Sequence, residues 1–166
     1  MTRAAILSAA AALVAEAANY VGHTEAPPGS NRSPQIDSWL QAVHSPIGSP
    51  WCMAFAWCMG RDALGMNWPV PKAGRVQTVV DWAMRELFYR EDPRMGDLAV
   101  LYFPALARYA HVGIVRGLHS ETFSTIEGNT VPDGSGGNQR EGYGIFRRTR
   151  HLTPRWAFIR WTAALR

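Results

Sequence analysis

The chain has 166 residues, 47% hydrophobic and 18% charged, with mean hydropathy near −0.15, which fits one globular domain with its own core. A disordered or collagen-like chain is excluded, as is a membrane span, because no apolar stretch is long enough. Seventeen basic residues against 13 acidic give a formal charge of +4, and two cysteines build neither a disulfide scaffold nor a four-ligand zinc site.

The chain opens on Met1-Thr2-Arg3 and an alanine-rich run. Ala15-Glu16-Ala17 imitates a secretory cleavage site, but a single arginine makes a poor positive region. Leu7, Val14 and Val21, seven apart, read instead as the buried stripe of a first helix. Without a clear signal, synthesis in the cytoplasm is expected. A loop from Gly22 to Arg32 carries Pro27-Pro28-Gly29-Ser30-Asn31. Ser33 then caps a helix that has Pro34 at its first position and Ile36, Leu40 and Val43 on its buried face. Two more helices are expected, from about Trp51 to Leu64 and from about Val76 to Phe88, the latter burying Val79, Val80, Ala83 and Leu87.

After the turn Asp92–Asp97 the period changes. Leu98–Phe103, His111–Val115, Thr122–Glu127, Tyr143–Arg148 and Trp156–Trp161 read as strands, and Thr130–Gly142, with four glycines, as a mobile loop. Helices first and an antiparallel sheet second predict an α+β domain spanning residues 1–166. From Arg140 onward there are seven arginines and one acid, Glu141. Such an end suits weak contact with an anionic wall or membrane surface, or else a solvated strand face; no nucleic-acid-binding motif accompanies it.

Cys52 follows Pro50-Trp51 and stands where a helix should begin. Free backbone N–H groups and the helix dipole there favour a thiolate. The alternative is a buried structural cysteine, which is the reading for Cys58 inside the same helix. A cysteine nucleophile needs a base, and His111, opening the strand His111-Val-Gly-Ile-Val, is the histidine placed to serve. Glu127 or Asn129, one strand later, could reach its far nitrogen if the strands pair. Among the tryptophans, Trp57 and Trp82 are expected to pack, whereas Trp51 could border a groove, with Glu25 and Asn31 facing it. No metal-ligand cluster and no cofactor motif is visible.

Taken in order, Trp51-Cys52-x-x-Phe55, Gly96-Asp97, His111-Val-Gly-Ile-Val and Glu127-Gly-Asn129 resemble the CHAP branch of the NlpC/P60-like cysteine hydrolases. The likeness runs from about Val21 to Trp161, and the proline-rich pieces are like those of small phage or prophage endolysins. The resemblance implies a papain-like fold and a peptidoglycan hydrolase, an amidase at the muramoyl–alanine bond or a stem-peptide endopeptidase. It makes Cys52 the nucleophile, His111 the base and Glu127 the orienting residue, with Asn129 assisting. No separate wall-binding domain is expected, and a monomer is. A wall-directed bacterial toxin, or a catalytically silent wall-binding or phage-tail module on the same fold, are the competing readings.

Overall fold

The computed structural model describes residues 1–135 and 141–165. Four helices, α1 (Arg3–Ala18), α2 (Pro34–Ala42), α3 (Cys52–Leu64) and α4 (Val76–Arg85), precede six strands. These are β1 (Tyr89–Arg90), β2 (Leu98–Phe103), β3 (Arg108–His119), β4 (Thr122–Thr130), β5 (Gly144–His151) and β6 (Trp156–Ile159). They form one antiparallel sheet in the order β1-β6-β2-β3-β4-β5. The fold is α+β, with the helices segregated before the sheet. Among the described residues no helix is long and apolar enough to cross a membrane.

The helix starts follow local chemistry. The Thr2 hydroxyl accepts from the Ala5 N–H and the Ser33 hydroxyl from the Ile36 N–H, each satisfying a first-turn donor. Ile36, Leu40 and Val43 are buried as their spacing predicts. The stripe expected for α1 holds only in part: Val14 and Val21 pack half-buried against the core, but Leu7 is 52% exposed, and the buried face is Ala9, Ala10, Leu13 and Ala17. A helix so rich in alanine is apolar all round, so its neighbours choose the buried side, and small residues let α1 approach α3 closely. Helix α4 stops at Arg85 instead of Phe88. Leu87 lies in the left-handed region at φ 59° and is 76% exposed, outside the core assigned to it.

The strands are mostly longer than expected. β3 begins at Arg108, β4 continues through Thr130 and β5 reaches His151, so His111 and Glu127 are interior to strands rather than at their ends. Residues 131–135 of the glycine-rich loop are described; the rest of that expected loop to Arg140 lies outside the described residues.

Alternation gives the sheet two different faces. Leu98, Val100, Val112, Ile114 and Ile126 pack into the main core with α1, α2, α3 and α4. Ala99, Leu101, Val115, Phe123, Trp156 and Phe158 form a second, smaller core. Phe123 on β4 meets Trp156 and Phe158 on β6 with ring centroids 5.2 Å apart, and Arg150 on β5 lies 5.6 Å from the Trp156 ring. In a flat sheet, strands three and four steps apart would be separated by about 14 and 19 Å. The sheet is therefore rolled around this second core, and residues projecting into the roll lie in a nearly water-free interior.

Two buried ties close the roll at the chain's end. Arg160 donates to the Asp97 carboxylate at 3.0 Å, and the Trp161 indole N–H donates to the Gly96 carbonyl at 2.7 Å. Burial pushes the Asp97 carboxyl up to about 6 even though Arg160 pulls it down. A Cβ on Gly96 would sit 2.5 Å from that of Ala10, so glycine here is what lets the turn press against α1. The Gly96-Asp97 pair is a structural joint.

Candidate active site

Cys52 is the first residue of α3. The helix has no side-chain cap, and Trp51 before it is not helical, so no capping side chain competes for the first-turn N–H groups at the residue that carries the thiol. Cys52 is 4% exposed and lines a cleft of about 480 Å³ bounded by the 43–50 loop, the start of α4 and the start of β3. Cys58 is fully buried, 4.0 Å from the Trp39 carbonyl, and burial pushes its thiol up to about 11. The two cysteines thus occupy opposite environments.

His111 is buried and projects from β3 on the rolled face, since its neighbours Val112 and Ile114 belong to the helix-packed core. Its Nε2 lies 2.7 Å from Glu127 Oε2. The pairing Ile114↔Ile126 brings these two residues together across β3 and β4. Nδ1, on the other side of the ring, has no hydrogen-bond partner among the described residues, and the Cys52 thiol is the side chain that interacts with the ring besides Glu127.

Glu127 is fully buried and takes three side chains. Arg150 on β5 donates through Nε to Oε1 at 2.8 Å and through Nη2 to Oε2, a two-pronged grip. The Thr125 hydroxyl donates to Oε1 at 2.6 Å. Burial alone would favour the neutral acid, but His111 and Arg150 outweigh it and hold the carboxyl well below the usual carboxylate range. An ionised carboxylate only accepts hydrogen bonds, so Nε2 of His111 carries the proton. Burial works against charge on His111 as well. Glu127 and Cys52 prevail, and the imidazole is pushed up to about 9.

Gly113 makes this arrangement possible. It lies beside His111 on the same face, and a Cβ there would be 2.6 Å from Glu127 Cγ and 3.2 Å from Thr125 Cβ. The glycine of His-Val-Gly is the space into which the Glu127 side chain folds.

The structure brings Cys52, His111 and Glu127 together. Asn129 is buried two residues further on at φ 54°, where the β4–β5 register is irregular, so simple alternation does not carry it beside Glu127. The nitrogen of His111 that it was expected to help hold is bonded to Glu127. The groove residues read from the sequence are corrected. Trp51 is 0% exposed and packs in the core against Trp39 and Gly128; its indole N–H donates to Glu25 at 3.0 Å, and Glu25 is buried with it. Neither has surface to offer a substrate. Asn31, half-buried at φ 56° in its loop, does not line the cleft. Trp57 and Trp82 pack as expected, Trp57 donating to the Val70 carbonyl at 3.0 Å.

The basic end is also corrected. Arg148 and Arg150 are buried inside the roll, Arg148 paired with Asp133 at 2.8 Å and Arg150 with Glu127, while Arg147 on the outer face is exposed. Arg150 and Thr125 are the site residues that reading the sequence missed. The period-two placement of Arg148 and Arg150 opposite Thr125 and Phe123 was the available signal.

Among the described residues no group of three or more His, Cys, Asp or Glu side chains could hold a metal ion. The arrangement supports acyl transfer: a thiol at a helix start, a buried imidazole beside it, and an anion fixing the ring.

Comparison with curated proteins and with solved structures gives no match. A family model does match: that of the CHAP domain, over residues 44–129, which spans Cys52, His111 and Glu127. CHAP domains are generally cysteine- and histidine-dependent amidohydrolases or peptidases with a papain-like fold, and they go broadly with peptidoglycan hydrolysis. On that match, which covers more than half of the chain, the protein belongs to the CHAP domain family.

Proposed function

We propose that this protein is a peptidoglycan hydrolase that cleaves an amide bond of the bacterial wall, at the muramoyl–alanine junction or within the stem peptide, by a Cys52–His111–Glu127 mechanism. The observation that carries the reading is the buried relay, with Glu127 2.7 Å from Nε2 of a buried histidine whose ring also interacts with the helix-start thiol of Cys52. The Cys52 sulfur, as thiolate, adds to the amide carbonyl carbon, and the carbonyl oxygen takes the negative charge beside the Cys52 backbone N–H. Imidazolium Nδ1–H gives its proton to the amide nitrogen as the C–N bond breaks, releasing the amine and leaving a thioester. Neutral Nδ1 then takes a proton from water, whose oxygen attacks the thioester. The second tetrahedral species expels the thiolate and leaves a carboxylic acid. Throughout, Glu127 keeps Nε2 protonated and the ring aligned, and Arg150 keeps Glu127 ionised.

For its role we propose lysis of the kind small phage or prophage endolysins carry out: a monomer made in the bacterial cytoplasm that opens the wall after release or export. The test is mass spectrometry of muropeptides from purified sacculi. Wild type should release fragments with a new amine and a new carboxylate, which name the bond, and Cys52→Ala should release none. Wild-type-like digestion by Cys52→Ala would remove the mechanism.

A further inference from the structure

The cleft beside Cys52 is lined by cationic and hydroxyl side chains. Its walls carry His44, Ser45 and Ser49 from the loop before α3, Arg75 and Thr78 at the start of α4, and Arg108 at the start of β3; no acidic residue among the described ones lines it. Most arginines near an acid are engaged elsewhere, as Arg32 is with Asp37 and Arg61 with Asp62. The side chains of Arg75 and Arg108 make no hydrogen bond, ion pair or ring contact among the described residues. Two guanidiniums without an acidic partner among the described residues thus belong to the lining of the cleft that the nucleophile candidate also lines.

Their positions are fixed by backbone packing. Gly74 presses so closely on the facing loop that a Cβ would lie 1.8 Å from Ser45 Oγ and 3.2 Å from Val43 Cγ2. Arg75 follows directly as the extended residue before α4. Arg108 begins β3, three residues before His111, and the next residue is pinned by its N–H to Gln77 on α4 at 2.9 Å. Low-dielectric walls around like charges focus positive potential into the space. Guanidinium forks match a carboxylate in geometry and charge. A cleft of this volume accommodates several residues of a peptide.

We infer that Arg75 and Arg108 form an anion subsite that seats a free carboxylate of the substrate peptide next to the amide attacked by Cys52. The inference deepens the hydrolase reading and rests on it for the identity of the substrate. It sets the substrate class as carboxylate-bearing peptides, in preference to amidated ones, and gives the domain a means of aligning its scissile bond without a second module.

Two measurements test it. The first compares hydrolysis of muropeptides whose stem-peptide glutamate carries a free α-carboxylate with the corresponding carboxamides. Wild type should favour the carboxylate in kcat/KM by roughly tenfold or more, mainly through KM, and Arg75→Gln/Arg108→Gln should bring the ratio toward one. The second needs no hydrolysis: alkylation of Cys52 by iodoacetate relative to iodoacetamide. Wild type should show a high ratio that falls with added salt, and the double variant should lose most of it. Equal use of both substrates by wild type, or an alkylation ratio indifferent to the two substitutions, would overturn the subsite. Failure to cleave any muropeptide, with an alkylation ratio that still depends on both arginines, would instead remove the hydrolase reading and leave the anion subsite standing.

Discussion

The Gly113 α-carbon and the Glu127 side chain occupy adjoining space so tightly that a single added methyl group would lie 2.6 Å from Glu127 Cγ. Neither neighbour can yield easily, because Glu127 is fastened by Arg150, Thr125 and His111 at once. Gly113→Ala is therefore expected to displace the carboxylate and turn the His111 ring, lowering activity at least tenfold while costing roughly 1–3 kcal/mol of stability. Wall lysis measured beside thermal unfolding checks this. An alanine variant with full activity would mean that the carboxylate position is not critical.

The relay makes stability depend on pH in both directions. His111 is raised from 6.5 to about 9, so its contribution is complete below pH 6.5 and is lost as pH climbs through 9. Glu127 is depressed below its usual 4.5, so its contribution is present above that value and disappears as the solution is acidified further. Denaturant unfolding across pH should show a plateau between these limits. His111→Gln should flatten the alkaline slope; a slope identical to wild type would place its origin in another group.

Thiol reagents should separate the two cysteines. At neutral pH a small alkylating agent is expected to label Cys52, which lines the cleft, and to spare Cys58, whose thiol is buried and pushed up to about 11. Peptide mass mapping of the labelled protein reads this directly. Cys58→Ser should keep catalysis, with any loss confined to stability from a hydroxyl in the core.

Arg150 is predicted to act on rate through Glu127 rather than on wall attachment. Arg150→Met leaves a buried carboxylate with one cation fewer, at a cost of about 3–5 kcal/mol. Its activity should shift toward higher pH on the acid side as Glu127 becomes easier to protonate. Arg147→Ser, on the outer face, should change neither the stability nor the acid limb. If Arg150→Met changed only the salt sensitivity of lysis, the arginine would belong to a surface after all.

Trp51 gives a simpler expectation. Phenylalanine there fills most of the same space but removes the N–H that Glu25 accepts, leaving a buried carboxyl with less support. A loss of roughly 1–3 kcal/mol in stability is expected, with turnover per folded molecule kept. A raised KM at wild-type stability would return Trp51 to a substrate-facing role.

The sequence was most legible where local chemistry is strong. Ser33-Pro34 marks a helix start, Pro50 sets the entry to α3, and the ordered Cys52, His111 and Glu127 signal one site. It was least legible where long-range geometry decides. Arginines in a basic C-terminal strand look solvated until the sheet rolls and turns every second one inward beside Phe123 and Trp156. Trp51 looks like a groove wall because it adjoins the nucleophile, yet the start of a helix can send consecutive side chains to opposite places. In α4, Leu87 continues the apolar spacing, but the backbone has already turned away at Arg85.

His111 is sealed from solvent, whereas Cys52 keeps a small exposed edge on the cleft. The sulfur therefore stands between the cleft and the buried imidazole like a stopper in the neck of a bottle. Reagents, water and leaving amines entering from this cleft meet the sulfur before the ring. A histidine modifier such as diethyl pyrocarbonate should then work slowly on His111 in the intact protein, and faster once Cys52 is shortened to glycine.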